Sequence, residues 1–353
     1  MNRKEYRTAR VNIWNPSMVR VIFVLFTFVS MWAFGQDGWQ RVSSPIHDGL
    51  HDVFFLNDSL GWAYTYGTGS VIHTCDGGQR WHIQAQLDSL YFEHIQFTDK
   101  NNGWICGEYG TVYKTTDGGR SWMDVSPDVP GRILHNAHVS EGNQEGWQVL
   151  YYNMHFFDED KGFVTGMKMN RKEKKREILF FMTDDGGKYW SPVKQPPEEM
   201  LFWTVFVNRQ EGFTTGGGSI FRSTDGGRTW VSVYTGKKDQ LRGLFFLNEK
   251  MGWACGFSGR VIRTTDGGQN WEEVQVTQNR LRSIAFLDEK VGFAVGDHNA
   301  EDGVLYRSDD GGLTWEKCKN NYPDLHRIFV APEKTWIVGK EGTILTLKNE
   351  DIR

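Results

Sequence analysis

The chain is poor in cysteine. Four in 353 residues, Cys75, Cys106, Cys255 and Cys318, form no C-x-x-C pair, and no His/Cys grouping has metal-site spacing. A structural zinc module or a dithiol redox centre therefore has no basis in this sequence. Cys106 and Cys255 occupy the same place in two Trp-x-Cys-Gly segments and read as small buried apolar residues. A run able to cross a bilayer comfortably is also lacking. The apolar stretch Val21–Phe34 covers about 14 residues, the length of a signal-peptide core. Arg3, Lys4, Arg7, Arg10 and Arg20 precede it, and Ala33-Phe34-Gly35 resembles a small-x-small cleavage site. Residues 1–35 are thus expected to be an export signal, leaving a periplasmic or extracellular protein that begins at Gln36, with a retained membrane anchor as the alternative. No cysteine follows the core to carry a lipid. Nor is there an excess of positive charge: 40 basic and 44 acidic side chains give −4. The leader holds five bases and one acid, so residues 36–353 carry −8. A mildly acidic chain is not a general nucleic-acid binder.

What the sequence has is repetition. Ser223-Thr224-Asp225-Gly226-Gly227-Arg228-Thr229-Trp230 recurs with small changes at five other places. The shared core is [ST]-x-D-G-G-x-x-W, with aspartates at Asp76, Asp117, Asp185, Asp225, Asp266 and Asp310. Asp and Gly are the residues of a tight turn, one bonding its own backbone and the other accepting positive φ. The Trp opens the next strand and brings a large apolar plate. This is the pattern of the Asp-box, or bacterial neuraminidase repeat. Four of the five intervals are 40–44 residues, the length of a four-stranded propeller blade. The interval from Asp117 to Asp185 is longer, so blade three is expected to carry insertions, near 124–146 and 167–177.

Two further landmarks fix the blade count. An apolar first strand occurs seven times, from Leu50–Asn57 to Leu325–Pro332, and the first six copies end in Phe and an acid or amide. A second strand opens with Gly-Trp or Gly-Phe six times, and with Thr335-Trp336 in the last repeat. That last repeat stops after its third strand, Thr343–Leu347, while Gly38-Trp39-Gln40-Arg41-Val42 matches a fourth strand that has no blade of its own. The expected fold is all-β: a seven-bladed propeller over residues 36–353 whose N-terminal strand completes the last blade and removes the open edges. The Asp-boxes then lie between third and fourth strands and act as turns, not as a row of catalytic acids.

Function is sought where a repeat departs from itself. The two insertions of blade three and the acidic segment Asp297–Gly303 of blade six should emerge on one face, as D–A and B–C loops. The second position of each first strand opens onto that face: His51, Glu93, Tyr152, Phe202, Arg242, Arg282 and His326. This ring mixes basic and aromatic types, which are enriched at binding surfaces.

Repeats of the form L-R-x-[IL]-x-F, G-W-A-x-G and G-x-[IV]-x-x-T-x-D-G-G-x-x-W, clearest over Leu241–Trp271 and Leu281–Trp315, resemble one family in particular. It is the photosystem II assembly and stability factor family, the lumenal seven-bladed propellers of cyanobacteria and chloroplasts. The resemblance implies a non-enzymatic protein without cofactor or metal that binds an early membrane-protein partner through arginines on one face. Arg242 and Arg282 are the positions that carry over best, followed by Arg327; blades one to four have no arginine there. The expected partner is a polypeptide, held by a monomeric propeller through these arginines with His51, His326, Tyr152 and Phe202 beside them. Two alternatives stand. A sialidase-like glycosidase would need six blades, an Arg-Ile-Pro segment and paired acids within about 5–9.5 Å. Here Gly131-Arg132-Ile133-Leu134 lacks the proline, and Glu93, with Asp52 beside it, is the acid of the ring. An extracellular glycan-binding module would stack sugars on Tyr152 and Phe202.

Overall fold

The computed structural model describes residues 38–87, 91–130, 147–170, 172–319 and 321–352. The expected export signal, residues 131–146 of the blade-three insertion, and the Gly131–Leu134 segment lie outside the described residues. The rest forms seven sheets of four strands, six of them in sequence order, the blade-six sheet carrying one extra short strand, Tyr322–Pro323. The first strands of successive blades neighbour one another around a closed ring. Blade five shows the plan: Leu241–Phe246, Gly252–Gly256, Arg260–Thr264 and Glu272–Gln275 pair antiparallel from the axis outward.

The ring closes as the sequence requires. Gln40, Arg41 and Val42 pair with Thr346, Leu345 and Ile344, so the N-terminal strand is the outer strand of blade seven.

Each sequence landmark has a packing reason. The acid or amide that ends a first strand caps the following turn: Asn57 Oδ1 accepts the Ser59 and Leu60 N–H groups, and Asp99, Asp158, Asn208, Asn248 and Asp288 do the same in their blades. The Phe before it folds over the glycine that opens the second strand. A Cβ on Gly61 would meet the Phe55 ring at 2.5 Å, and one on Gly103 would meet Phe97 at 2.5 Å. The same Phe stacks on the second-strand aromatic of the preceding blade. Trp62 and Phe97 lie 3.7 Å apart, Trp104 and Phe156 3.8 Å, Trp253 and Phe286 3.7 Å, and Trp336 and Phe55 3.7 Å across the closure. Blades six and seven have no such stack; there Trp39 meets Phe293 edge-on at 5.4 Å.

The Asp-boxes are turns. In the box of blade four, Asp225 Oδ1 accepts the Ser223 hydroxyl and the Arg228 and Thr229 N–H groups, and Oδ2 accepts the Thr229 hydroxyl. Gly226 and Gly227 sit at φ +73° and +87°. Trp62, Trp104 and Trp253 each donate an indole N–H to a box glycine carbonyl of the next blade, at 2.9–3.3 Å. The boxes therefore bind blades to one another. By strand register they occupy the edge opposite the start of the first strand, since Phe246 pairs with Gly252 and Gly252 with Thr264.

Two insertions differ in form from the sequence expectation. The Met167–Arg176 segment is not a loop but the end of a tall hairpin. The second and third strands of blade three run Gly162–Asn170 and Lys175–Thr183, nine residues each, against five for Gly252–Gly256. Asp297–Gly303 is likewise a strand continuation, Gly292–His298 paired with Asp302–Ser308. Its turn residues Asn299 and Ala300 both have positive φ, as in a type I′ hairpin.

Candidate functional site

The first strands are not regular where they begin. In blades one, two, three, five, six and seven the register slips by one residue at the second position. Each slip is a β-bulge that takes one residue out of the ladder and re-aims its side chain. The bulged residues are His51, Glu93, Tyr152, Arg242, Arg282 and His326. Phe202 stands at the same place in blade four, just before Trp203–Phe206. All seven line one cavity at the mouth of the channel, together with Asp52, Trp203 and Arg327.

Below this ring the third positions form a belt that plugs the channel. Asp52 accepts from His94 at 2.8 Å and from the Ile95 N–H at 3.1 Å, and pairs with Arg327 at 3.2 Å. The Arg327 guanidinium lies 3.6 Å from the Trp203 ring centre and donates to Ser283 at 3.3 Å. Arg327 therefore belongs to the plug, one step below the ring. Burial lowers its pKa, and Asp52 works against that shift.

The three arginines are not equivalent. Arg282 donates to Asp297 at 2.8 Å and lies 3.6 Å from Asp324; both carboxylates are almost wholly buried. Arg280 holds the other oxygen of Asp297. The residues of the acidic blade-six segment are thus not all presented to a partner: Asp297 turns inward and is consumed by two guanidiniums. Arg242 differs. Among the described residues it has no carboxylate within ion-pair distance. Gln240 Oε1 accepts its Nε and Nη2 at 3.3 and 3.1 Å, and the rings of Phe202, Phe257 and Tyr152 surround it at 4.2, 5.1 and 5.4 Å. Phe257 sits at the centre, with Arg280 and Arg282 also over its ring at 5.4 and 5.5 Å.

On the opposite wall His51 stacks on Tyr66 at 5.4 Å and lies 4.0 Å from Glu93. Burial keeps the His51 pKa well below the usual value, with the His326 and arginine charges adding to the effect. Burial pushes Glu93 up to about 7, despite Arg242 and Arg282 acting in the other direction. His326 is held by the Leu50 carbonyl at 2.8 Å and by Asp324 at 3.3 Å. The mouth cavity encloses about 60 Å³, far less than the roughly 300 Å³ or more of a small-molecule pocket. A second pocket of about 390 Å³ opens beside the blade-six hairpin, lined by Gln278, Asn279, Arg280, His298, Asn299 and Ala300. Arg280 and Arg282, two residues apart, connect the two openings. The six Asp-box aspartates lie at the other edge of their blades. No group of three or more metal-ligating side chains occurs among the described residues.

The family described as photosynthesis system II assembly factor YCF48 matches residues 33–145, and an Asp-box repeat matches residues 306–317. The chain is a seven-bladed propeller with Asp-box repeats that is similar to photosystem II assembly factors over part of its length. Similar curated proteins include the photosystem II assembly protein Ycf48 of Thermosynechococcus vestitus, 24% identical over 145 residues, covering 40% of this chain and 37% of that protein. The stability/assembly factor HCF136 of Oryza sativa is 30% identical over 118 residues, 30% of this chain and 28% of that one. The chain thus spans well under half the length of the curated relatives it matches. Among solved structures, YCF48 bound to D1 peptide superposes with a TM-score of 0.67 at 20% identity, covering 90% of this chain and 99% of that one. An ancestral GH74 enzyme superposes at 0.65 with 14% identity, covering 89% of this chain and 46% of the enzyme. At these identities the structural likeness establishes the propeller fold alone.

The ring residues were readable as the second position of a repeat. Phe257, Trp203 and Gln240 were not, because they are ordinary members of their strands and loops. The inward turn of Asp297 had a signal: counting register from Leu281 opposite Gly296 places it directly across from Arg280.

Proposed function

We propose that this propeller is a non-enzymatic assembly factor that captures an extended segment of another exported or membrane protein over its channel mouth. The observation that carries this reading is Arg242: a half-buried guanidinium held by one amide and three aromatic rings, with no carboxylate within ion-pair distance among the described residues. Arginine grips a carboxylate by two parallel hydrogen bonds, and flanking rings add area at small entropy cost. The two connected openings suit a chain that lies across the face more than a compact ligand. A solved relative bound to D1 peptide and curated relatives named as photosystem II assembly or stability factors support the same reading. The glycosidase reading is not favoured. Asp52 is committed to His94, Ile95 and Arg327, and the mouth is too small for a sugar ring.

The test is selection of random heptapeptides on the immobilised protein. Acidic peptides with an aromatic residue should be enriched. They should be lost on Arg242→Ala and retained on the Asp-box-face variant Arg120→Ala with Arg228→Ala, whose side chains are exposed. Arg242→Ala is a cleaner probe than Arg282→Ala, which would leave buried Asp297 with half its partners. Peptides that bind the Arg242 variant as well as the wild type would sink the assignment of the face.

A further inference from the structure

The mouth leaves two charges without an opposite within 4 Å among the described residues. Arg327 answers Asp52, and Arg282 answers Asp297 and Asp324. His326 and Lys340 also lean on Asp324, at 3.3 and 3.6 Å. What remains is Arg242 from blade five and Glu93 from blade two. Glu93 stands at its own bulge, its side chain 16% exposed, with His51 at 4.0 Å and no hydrogen-bond partner among the described residues. Burial holds His51 neutral, so it cannot serve as the counter-charge. The other charges acting on Glu93 are Arg242 and Arg282 in its favour, and Glu108, just past the second strand of its own blade, and Asp52 of blade one against it. Tyr64, Tyr66 and Tyr152 face it from blades one and three and are neutral at ordinary pH.

A carboxylate that comes to Arg242 enters this same small cavity. Two carboxylates in one desolvated site do not both stay ionised; the weaker acid takes a proton. Glu93 is that weaker acid, already raised to about 7 by burial. We propose that Glu93 sets what the mouth accepts: as the neutral acid it admits a carboxylate-bearing segment against Arg242, and as the carboxylate it turns that segment away, so that capture takes up one proton. Glu93 is thus a specificity-determining residue of the capture site. The inference rests on the mouth being that site.

The linkage has a definite sign. Binding an anion raises the Glu93 pKa further, so the complex holds a proton that the free protein loses above about pH 7. Affinity for an acidic ligand should be highest near pH 6 and fall by about tenfold by pH 8, the population factor for one group that titrates near 7. The glutamine counterpart of the ligand should bind more weakly and without this slope.

The experiment uses the full chain and a fluorescein-labelled acidic heptapeptide from the selection above, titrated from pH 6 to 8. Wild type should lose about tenfold in affinity. Glu93→Gln fixes the neutral form at nearly the same volume. It should bind at pH 8 as tightly as wild type does at pH 6, with a flat profile between. Calorimetry in two buffers of different ionisation enthalpy should count about three-quarters of a proton taken up by wild type at pH 7.5 and none by Glu93→Gln. A slope that persists in Glu93→Gln, or no proton uptake by wild type, overturns this inference while leaving the capture site intact. Binding that ignores Arg242→Ala overturns the capture site and this inference with it.

Discussion

The seam between blades six and seven should be the weak point of the ring, and Trp39 holds it. Every other junction has a second-strand aromatic packed on the closing Phe of the next blade. Here blade six offers Phe293, and blade seven ends its first strand in Val330. Trp39, 2% exposed, fills the gap from the N-terminal strand and packs with Ala285, Phe293, Leu305, Leu345 and Leu347. Truncating a buried Trp to Ala costs about 3–5 kcal/mol. At roughly 1.5 °C per kcal/mol for a chain of this size, the Trp39→Ala melting temperature should fall by about 5–8 °C. The indole N–H finds no hydrogen-bond partner among the described residues. Trp39→Phe removes that unmet donor together with some packing, so it should stay within about 1 kcal/mol of wild type. The assays are thermal unfolding and hydrogen exchange. In Trp39→Ala, Thr343–Lys348, which pairs with the Gln40–Val42 strand, should lose protection ahead of the third strands of the other blades. A cost below about 1 kcal/mol, or uniform loss around the ring, would refute the seam argument.

The Asp-boxes give a pH prediction. The Arg80 N–H holds Asp76 at about 2, the Ser121 hydroxyl and N–H hold Asp117 at about 2, and the Asn270 N–H and amide hold Asp266 at about 2, all below the usual aspartate value of 3.8. A depressed carboxylate stabilises the fold above its unfolded pKa and loses that contribution as pH falls toward its folded one. The urea midpoint of wild type should therefore drop between about pH 4 and pH 2. The triple variant Asp76→Asn, Asp117→Asn, Asp266→Asn should start lower and converge on wild type by pH 2; parallel curves would contradict it. The opposite sign applies to Glu93, whose raised pKa makes its contribution fade between about 4.5 and 7. Glu93→Gln should accordingly gain more stability at pH 8 than at pH 5, and an equal gain at both would count against a buried, titrating Glu93.

The architecture was legible because its determinants are local and repeated. A Gly-Gly turn needs its two positive φ values in every box, and the glycine of each second strand is set by the Phe that lies over it. The orphan strand at Gly38–Val42 was legible because the seventh repeat lacks one. The face and the ring were legible as a register position. What the chain does with charge there was not. Whether Asp297 points to solvent or to Arg282 depends on how far the blade-six strands continue, and the unbroken pairing up to His298 and Asp302 turns an apparent loop into ladder. The plug of Asp52, His94, Trp203 and Arg327 draws on blades one, two, four and seven, so no window of sequence contains it. The same holds for the isolation of Arg242, which follows from the pairing of its neighbours.

The most direct test of capture at the mouth is a hydrogen-exchange footprint of the full chain with the selected acidic heptapeptide bound. The account predicts new protection at the turns that rim the mouth, Tyr66–Gly69 of blade one and Gly256–Gly259 of blade five, and none at the Asp-box turns such as Asp225–Trp230. Protection confined to the Asp-box turns, with the mouth turns exchanging as in the free protein, would contradict it.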